Sequence, residues 1–326
     1  MYSQAPLLKL LSSGKIPGES GVPEHIETVI SNVFLFKDRA YKVYKNDNDF
    51  FNKSFHDLST KEERLSFSAA DFDWNKQLAR EIYLHLQGVK VVSDEIAFTD
   101  ADEAEELIQI NTRMPSGAVL FDHLQKNDLE EVDFYEIGKQ FAMREKAFVW
   151  HGEFSSESTL QNIIKRHTDI IEWVKDAEEY LPAQERNAYS EQLLSLIKEI
   201  YTSDTTPLSI GFDFHSFNAF YVEGVLYPFD THPPKDAWRF CPTGLNVYRL
   251  ATDVFALVGE KEFRAVIQGY FGYLNISIPN EKGERLFVMY AALIMVSYLY
   301  MLARTDSDKM SAAIKYHEFL RQYAAA

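Results

Sequence analysis

The sequence predicts an α+β fold in which a small β-rich part carrying one helix precedes a larger, mostly helical part. Three observations predict it. The runs "ETVISNVFLF" and "RAYKVYK", rich in β-branched and aromatic residues and separated by a short polar break, read as a β-hairpin. Residues 60–86, "TKEERLSFSAADFDWNKQLAREIYLHL", show helical spacing behind a Thr start with Glu63 at the capping-box position. From Pro115 onward the apolar spacing is mostly helical, broken once near residues 211–234.

Taken in order, residues 1–25 carry Gly14, Pro17, Gly18, Gly21 and Pro23 around one short apolar stretch, "APLLKLL", and read as a lead-in to the fold. After the hairpin and helix come two strand-like pieces, "VKVVSDEIAF" and "AEELIQINT". These elements fill an N-terminal region over 26–110, and 111–326 form the helical region. Its helices are expected near 116–126, 130–149, 157–180, 184–202, 244–258, 260–274, 283–303 and 306–324. Between the fourth and fifth, "NAFYV" and "VLYPFD" flank Glu223-Gly224, a pair suited to a tight hairpin turn. No internal repeat or low-complexity tract appears, and two lobes with a ligand cleft are the expected arrangement.

Composition sets the chemical context. The 326 residues are 46% hydrophobic and 14% aromatic, enough for a large core. A single cysteine, Cys241, excludes an intrachain disulfide and a cysteine-based zinc cluster, and the start of the chain lacks a signal-peptide pattern, so a cytoplasmic location is expected. With 33 basic against 49 acidic residues the formal charge is −16, which disfavours nucleic acid as a partner. No charged residue interrupts Leu286 to Ala303, which approaches the length of a membrane span. Tyr290, Ser297, Tyr298 and Tyr300 within that stretch, and the lack of a strongly basic flank, favour a core helix and no membrane.

The chemistry concentrates in "GFDFHSFNAFYVEGVLYPFDTHPP", residues 211–234, where Asp213, His215, Asp230 and His232 form two Asp-x-His triplets. A two-metal hydrolase needs more Asp, Asn and His ligands than these, and the other histidines are scattered without an H-E-x-x-H pair. Phosphoryl transfer asks for less: a carboxylate beside the attacking hydroxyl, an amide and a carboxylate on Mg2+, and a lysine on the phosphates. Asp213 and Asn218 on one loop, with Asp230 beyond the hairpin, meet the oxygen-ligand part, since Mg2+ is usually held by one or two protein groups plus nucleotide phosphates.

At these residues the chain resembles a known family. "FDFHSFN…PFD" is similar to the H-G-D-x-H-x-x-N…D pattern of aminoglycoside phosphotransferase-like enzymes, members of the protein-kinase-like superfamily, and closest to an uncharacterised bacterial branch. In that branch "VFLFKDRAYKVYK" is similar to the N-lobe hairpin, "WNKQLAREIYLHL" to the end of the N-lobe helix, and "MPSGAVLFDHLQKNDL" to the segment after the hinge. The resemblance implies a two-lobed kinase-like fold and an ATP- and Mg2+-dependent transfer to a hydroxyl. Asp213 then corresponds to the catalytic aspartate, Asn218 and Asp230 to the Mg2+ ligands, and Lys42 to the lysine on the α- and β-phosphates. Asp71 corresponds to the helix acid that holds this lysine, usually a Glu, and Asp253 to a buried aspartate bracing the catalytic loop.

The chain departs from the pattern at Gly211 and Phe212, where the family has His and Gly, so the loop must be supported differently. These departures keep a second expectation open, a degenerate kinase that binds nucleotide or a partner without transfer; the metallohydrolase is a third. After Asp230, "THPPKDAWRFCPTG" carries no A-P-E end, which favours a small-molecule hydroxyl acceptor over a protein one. His215 and His232 are expected to bond to loop backbone, with no chemical role assigned.

Overall fold

The structure, a computed structural model, describes residues 3–47, 52, 55–201, 208–233, 235–304 and 306–325. Residue 202, the end of one expected helix, and Pro234 of the proline pair lie outside the described residues. The chain divides into two units, Met1–Ser116 with Tyr227–Lys235, and Gly117–Leu226 with Asp236–Ala326.

The first unit is a six-stranded antiparallel sheet carrying two helices among its described residues. Its strands are β1 (Glu24–Glu27), β2 (Ser31–Leu35), β3 (Arg39–Tyr44), β4 (Tyr83–Val92), β5 (Glu95–Thr99) and β6 (Glu106–Thr112), in the order β1-β2-β3-β6-β4-β5. The hairpin expected from residues 27–45 is β2 and β3, paired with Val33 opposite Lys42. "VKVVSDEIAF", expected as one piece, folds back on itself at Ser93 and Asp94, both at positive φ, to give the end of β4 and then β5. Short polar residues tolerate that conformation, which suits a two-residue hairpin turn.

Helix α1 (Ala5–Ser12) lies within the segment expected to precede the fold, yet Leu7, Leu10 and Leu11 are buried with Phe34, Tyr41, Val43 and Val89. The leucines recur at helical spacing behind Pro6 in the first turn, a favoured start. Gln4 extends the attachment, its Nε2 donating to the Tyr44 carbonyl at 2.8 Å and to Glu106 at 3.0 Å. Helix α2 (Lys61–Leu78) starts as expected, with the Thr60 hydroxyl accepting from the Glu63 N–H. It ends earlier than its spacing suggested, because residues 83–86 enter β4. Arg64 fastens α2 to the sheet through a buried ion pair with Glu106 at 2.6 Å and three carbonyls at 58–60.

The second unit is mostly helical. It runs through α3 (Leu120–Lys126), α4 (Glu131–Ala147), α5 (Thr159–Val174), α6 (Ala183–Ile200), α7 (Leu245–Leu257), α8 (Glu260–Leu274), α9 (Glu281–Ala303) and α10 (Lys309–Ala325). In chain order, β7 (Leu208–Ile210), β8 (Ala219–Val222), β9 (Val225–Pro228) and β10 (Phe240–Pro242) come between α6 and α7, and β9 from Tyr227 on is counted with the first unit. β7 pairs with β10, and β8 with β9 around Glu223 and Gly224, both at positive φ as that turn requires. Helix α9 is long and apolar enough to cross a membrane, but most of its apolar stretch is buried inside the protein, as a core helix requires. Helices α4 and α8 touch through glycines: a Cβ on Gly138 would lie 2.0 Å from the Val266 carbonyl oxygen, and one on Gly269 2.0 Å from that of Tyr135.

Candidate functional site

The residues singled out in the sequence fall in both units, with Lys42, Asp71 and Asp230 in the first and Asp213 and Asn218 in the second. In the first unit, strand alternation sends Lys42 and Lys45 to opposite faces. Lys45 pairs with Glu27 at the surface, whereas Lys42 is 4% exposed and donates to Asp230 Oδ1 at 2.5 Å. The Tyr44 ring lies beneath the same ammonium, 4.7 Å from its centre.

The expected Lys42–Asp71 pair is not formed. Asp71 is buried on α2, where Oδ2 accepts from Tyr44 Oη and Gln109 Nε2, each at 2.7 Å, and Oδ1 from Asn75 Nδ2 at 2.9 Å. The register gives the reason: Gln109 lies directly opposite Lys42 across β3 and β6, and Tyr44 is two residues along on the same face. These two neutral donors flank the lysine and occupy the short aspartate, which leaves the lysine to Asp230.

Asp230 itself sits at φ 52°, its N–H donating to Tyr83 Oη at 3.1 Å and its side chain about a third exposed. Thr231, fully buried, follows and donates from both N–H and Oγ1 to Asn75 Oδ1 at 2.8 Å. Burial, reinforced by the Asp71 and Asp230 carboxylates, holds the Tyr44 and Tyr83 phenols well above their ordinary range, so both remain donors. His232 packs its ring on Phe67 and Trp74 and bonds through Nδ1 to the Pro233 carbonyl at 2.9 Å, a loop-building role.

In the second unit the loop 211–218 is supported from beneath. Gly211 is required by close approach: its N–H donates to the Arg239 carbonyl at 2.6 Å, and a Cβ would lie 2.4 Å from the Trp238 oxygen and 2.9 Å from Arg166 Nη2. Buried Arg166 gathers the Trp238 and Phe240 carbonyls. Phe212 turns its side chain into the core, edge-on to Phe148, while its N–H donates to Asn246 Oδ1 at 3.0 Å. The bulk of Phe212 thus fills the core and does not crowd the loop.

Asp213 Oδ1 accepts from Arg249 Nη1, and Asn218 Nδ2 donates to the Asp213 carbonyl at 2.8 Å, closing the loop on itself. Asp253 Oδ2 accepts from the Ser216 N–H at 2.8 Å and the Ser216 hydroxyl at 2.6 Å, while its Oδ1 accepts from Tyr316. This is the bracing geometry expected for Asp253. Burial pushes its carboxyl up to about 6 against the pull of these donors. Asn246, Arg249 and Asp253 recur at helical spacing on one face of α7, so a single helix grips the loop at Phe212, Asp213 and Ser216.

His215 is buried, and burial pushes its imidazole down to about 4, with Asp213 opposing and Arg249 adding to the shift. Its Nε2 is 3.9 Å from Asp213 Oδ1 and its Nδ1 has no hydrogen-bond partner among the described residues, so the backbone bond expected for it is not made. Beneath the loop, Glu145 accepts from Asn246 Nδ2 at 3.0 Å and Tyr270 Oη at 2.7 Å, and burial pushes it up to about 7. Among the described residues no group of three or more His, Cys, Asp or Glu side chains has the geometry to hold a metal.

Sequence reasoning missed Arg249, Asn246, Asn75 and Arg166. One signal was available: Arg249 stands one helical turn before Asp253, and Asn75 one turn after Asp71.

Comparison with solved structures defines the fold. LicA, a choline kinase from Streptococcus pneumoniae, aligns over 99% of this chain and 99% of its own at TM-score 0.58 and 13% identity. A choline kinase from Cryptosporidium parvum Iowa II aligns over 98% and 96% at TM-score 0.55 and 11% identity. APH(2")-IIia, in its GDP and kanamycin complex, aligns over 99% and 99% at TM-score 0.52 and 12% identity. No protein-family profile and no curated protein matches the sequence. The chain has the α+β, kinase-like fold of aminoglycoside phosphotransferases and choline kinases, the fold that its motif order implied.

Proposed function

We propose that this protein is a phosphotransferase that moves the γ-phosphate of ATP, with Mg2+, to a hydroxyl of a small molecule in the cytoplasm. The observation that carries the reading is the loop 211–218, in which Asp213 and Asn218 are locked together and held by Asp253 and Arg249. Asp213 takes the role of orienting and deprotonating the acceptor hydroxyl, a contribution of typically about 10² to 10⁴ in rate. Lys42 takes the phosphates.

The donor set suits Mg2+, which prefers hard oxygens and few protein ligands. Asp230 offers a partly exposed carboxylate. Asn218 commits its Nδ2 to the Asp213 carbonyl, so any cation ligation by that residue goes through Oδ1. When bound, Mg2+ would neutralise charge on the phosphates. Asp71 has no direct part in this scheme; it positions Tyr44, Gln109 and Asn75. Gly211 and Phe212 have structural reasons of their own, so they give no ground for a degenerate scaffold.

The test is thermal unfolding with and without MgATP for wild type, Asp230→Ala and Asp213→Asn, followed by assay of phosphate release and of hydroxyl acceptors. A ligand at about a hundredfold excess over its Kd stabilises the folded state by about 2.7 kcal/mol. The reading expects that gain in wild type and Asp213→Asn, its loss in Asp230→Ala, and loss of turnover in Asp213→Asn. Undiminished turnover in Asp213→Asn, or no response of wild type to any nucleotide, sinks the proposal.

A further inference from the structure

We infer that Asn75 is the positioning residue for Asp230. The inference rests on the reading of Asp230 as the carboxylate that meets Mg2+ and nucleotide. A carboxamide has two donor hydrogens and two acceptor directions. Asn75, fully buried on α2, uses all four: Oδ1 accepts from Thr231 N–H and Thr231 Oγ1, and Nδ2 donates to Asp71 Oδ1 and to the Asp71 carbonyl, both at 2.9 Å. The amide is therefore fixed in one orientation, with its oxygen facing the residue that follows Asp230.

That contact matters because Asp230 is in the left-handed region, φ 52°, which a short polar residue tolerates at a cost that surrounding contacts offset. Three groups do so. Tyr83 Oη takes the Asp230 N–H, Lys42 Nζ takes the carboxylate, and Asn75 takes both donors of Thr231. Of these only Asn75 ties the segment to α2. Asp71 stands behind it, occupied by Tyr44 and Gln109, and makes its hydrogen-bonded link toward Thr231 through the amide. Helix α2 thus sets the direction of the Asp230 carboxylate through neutral hydrogen bonds, without an ion pair to break and remake. Mg2+ tolerates little deviation from octahedral geometry, so loosening this latch weakens Mg2+-dependent nucleotide binding and spares binding that needs no metal.

The experiment compares wild type, Thr231→Val, Thr231→Ser and Asn75→Ala in two readouts: calorimetric ADP binding with and without Mg2+, and amide hydrogen exchange over 229–233 in nucleotide-free protein. Thr231→Val deletes one hydroxyl donor at constant volume and keeps the core filled, so it decides the matter if Asn75→Ala fails to fold. The expected result is faster exchange at Thr231 and a loss of about tenfold in the affinity that Mg2+ adds, with metal-free ADP affinity unchanged and Thr231→Ser restoring both. A full Mg2+ gain in Thr231→Val, whether or not exchange quickens, overturns the inference and leaves the phosphotransferase reading standing. Wild type that binds ADP in neither condition overturns both.

Discussion

Glu145→Gln should stabilise the protein at alkaline pH and do little in acid. Glu145 is buried on α4 and accepts only from neutral groups, Asn246 Nδ2 and Tyr270 Oη. Burial holds its proton to about pH 7, whereas the unfolded chain releases it near 4.5. The folded state binds more protons between these values, so stability falls as pH rises through that window and is lowest above it. At 1.36 kcal/mol per pH unit the penalty for the ionised form is about 3 kcal/mol. Glutamine has the same shape and no charge: its oxygen keeps Asn246, and its amide donates to Tyr270 Oη once that hydroxyl rotates to accept. Urea unfolding of both proteins at about pH 5 and about pH 8 isolates this one group, because the pH dependence of every other site cancels in the difference. The variant should gain about 2 to 3 kcal/mol on wild type between the two conditions. A constant difference, or a variant less stable than wild type at the higher pH, refutes the argument that a buried ionised Glu145 costs stability.

Other expectations follow from the same contacts. Gly138→Ala or Gly269→Ala places a methyl about 2.0 Å from a carbonyl oxygen of the facing helix; each should cost about 2 kcal/mol net of the better helix propensity of Ala. The double variant should cost less than the sum, since the first substitution already separates the helices; chemical denaturation checks both. Arg249→Met removes the guanidinium from Asp213, should lower stability by about 1 to 3 kcal/mol, and should lower turnover at saturating MgATP; Arg249→Lys should recover part of both, and wild-type turnover in the methionine variant would refute the role.

The fold was legible where its signals are local. The helix start at Thr60, the turn at Glu223-Gly224 and the apolar spacing of α4 to α10 need only neighbours within a few residues, and they stand close to where the pattern puts them. Residues 83–86 were misread because a helix ending at Leu78 and a strand starting at Tyr83 can share an apolar run, and periodicity does not separate the two. Helix α1 was underrated for a different reason. Glycines and prolines around it signal loop, and only the sheet it covers shows why Leu7, Leu10 and Leu11 are apolar.

The site divides along the same line. Asp213, Asn218 and Asp230 could be singled out as candidates because one short stretch holds them, and Asp253 because its motif is local. The partners that orient them come from elsewhere in the chain: Lys42 is 188 residues from Asp230, Asn75 156 from Thr231, and Arg249 36 from Asp213. No spacing rule spans such distances. Asp71 shows the consequence most sharply, since its helix position was readable but its hydrogen-bond partners were not. Which donor an acid takes depends on what stands on the facing strand, and here Tyr44 and Gln109 were there first. A motif therefore identifies the groups that can do chemistry, while the directions in which they point are set by residues that only the folded chain brings to them.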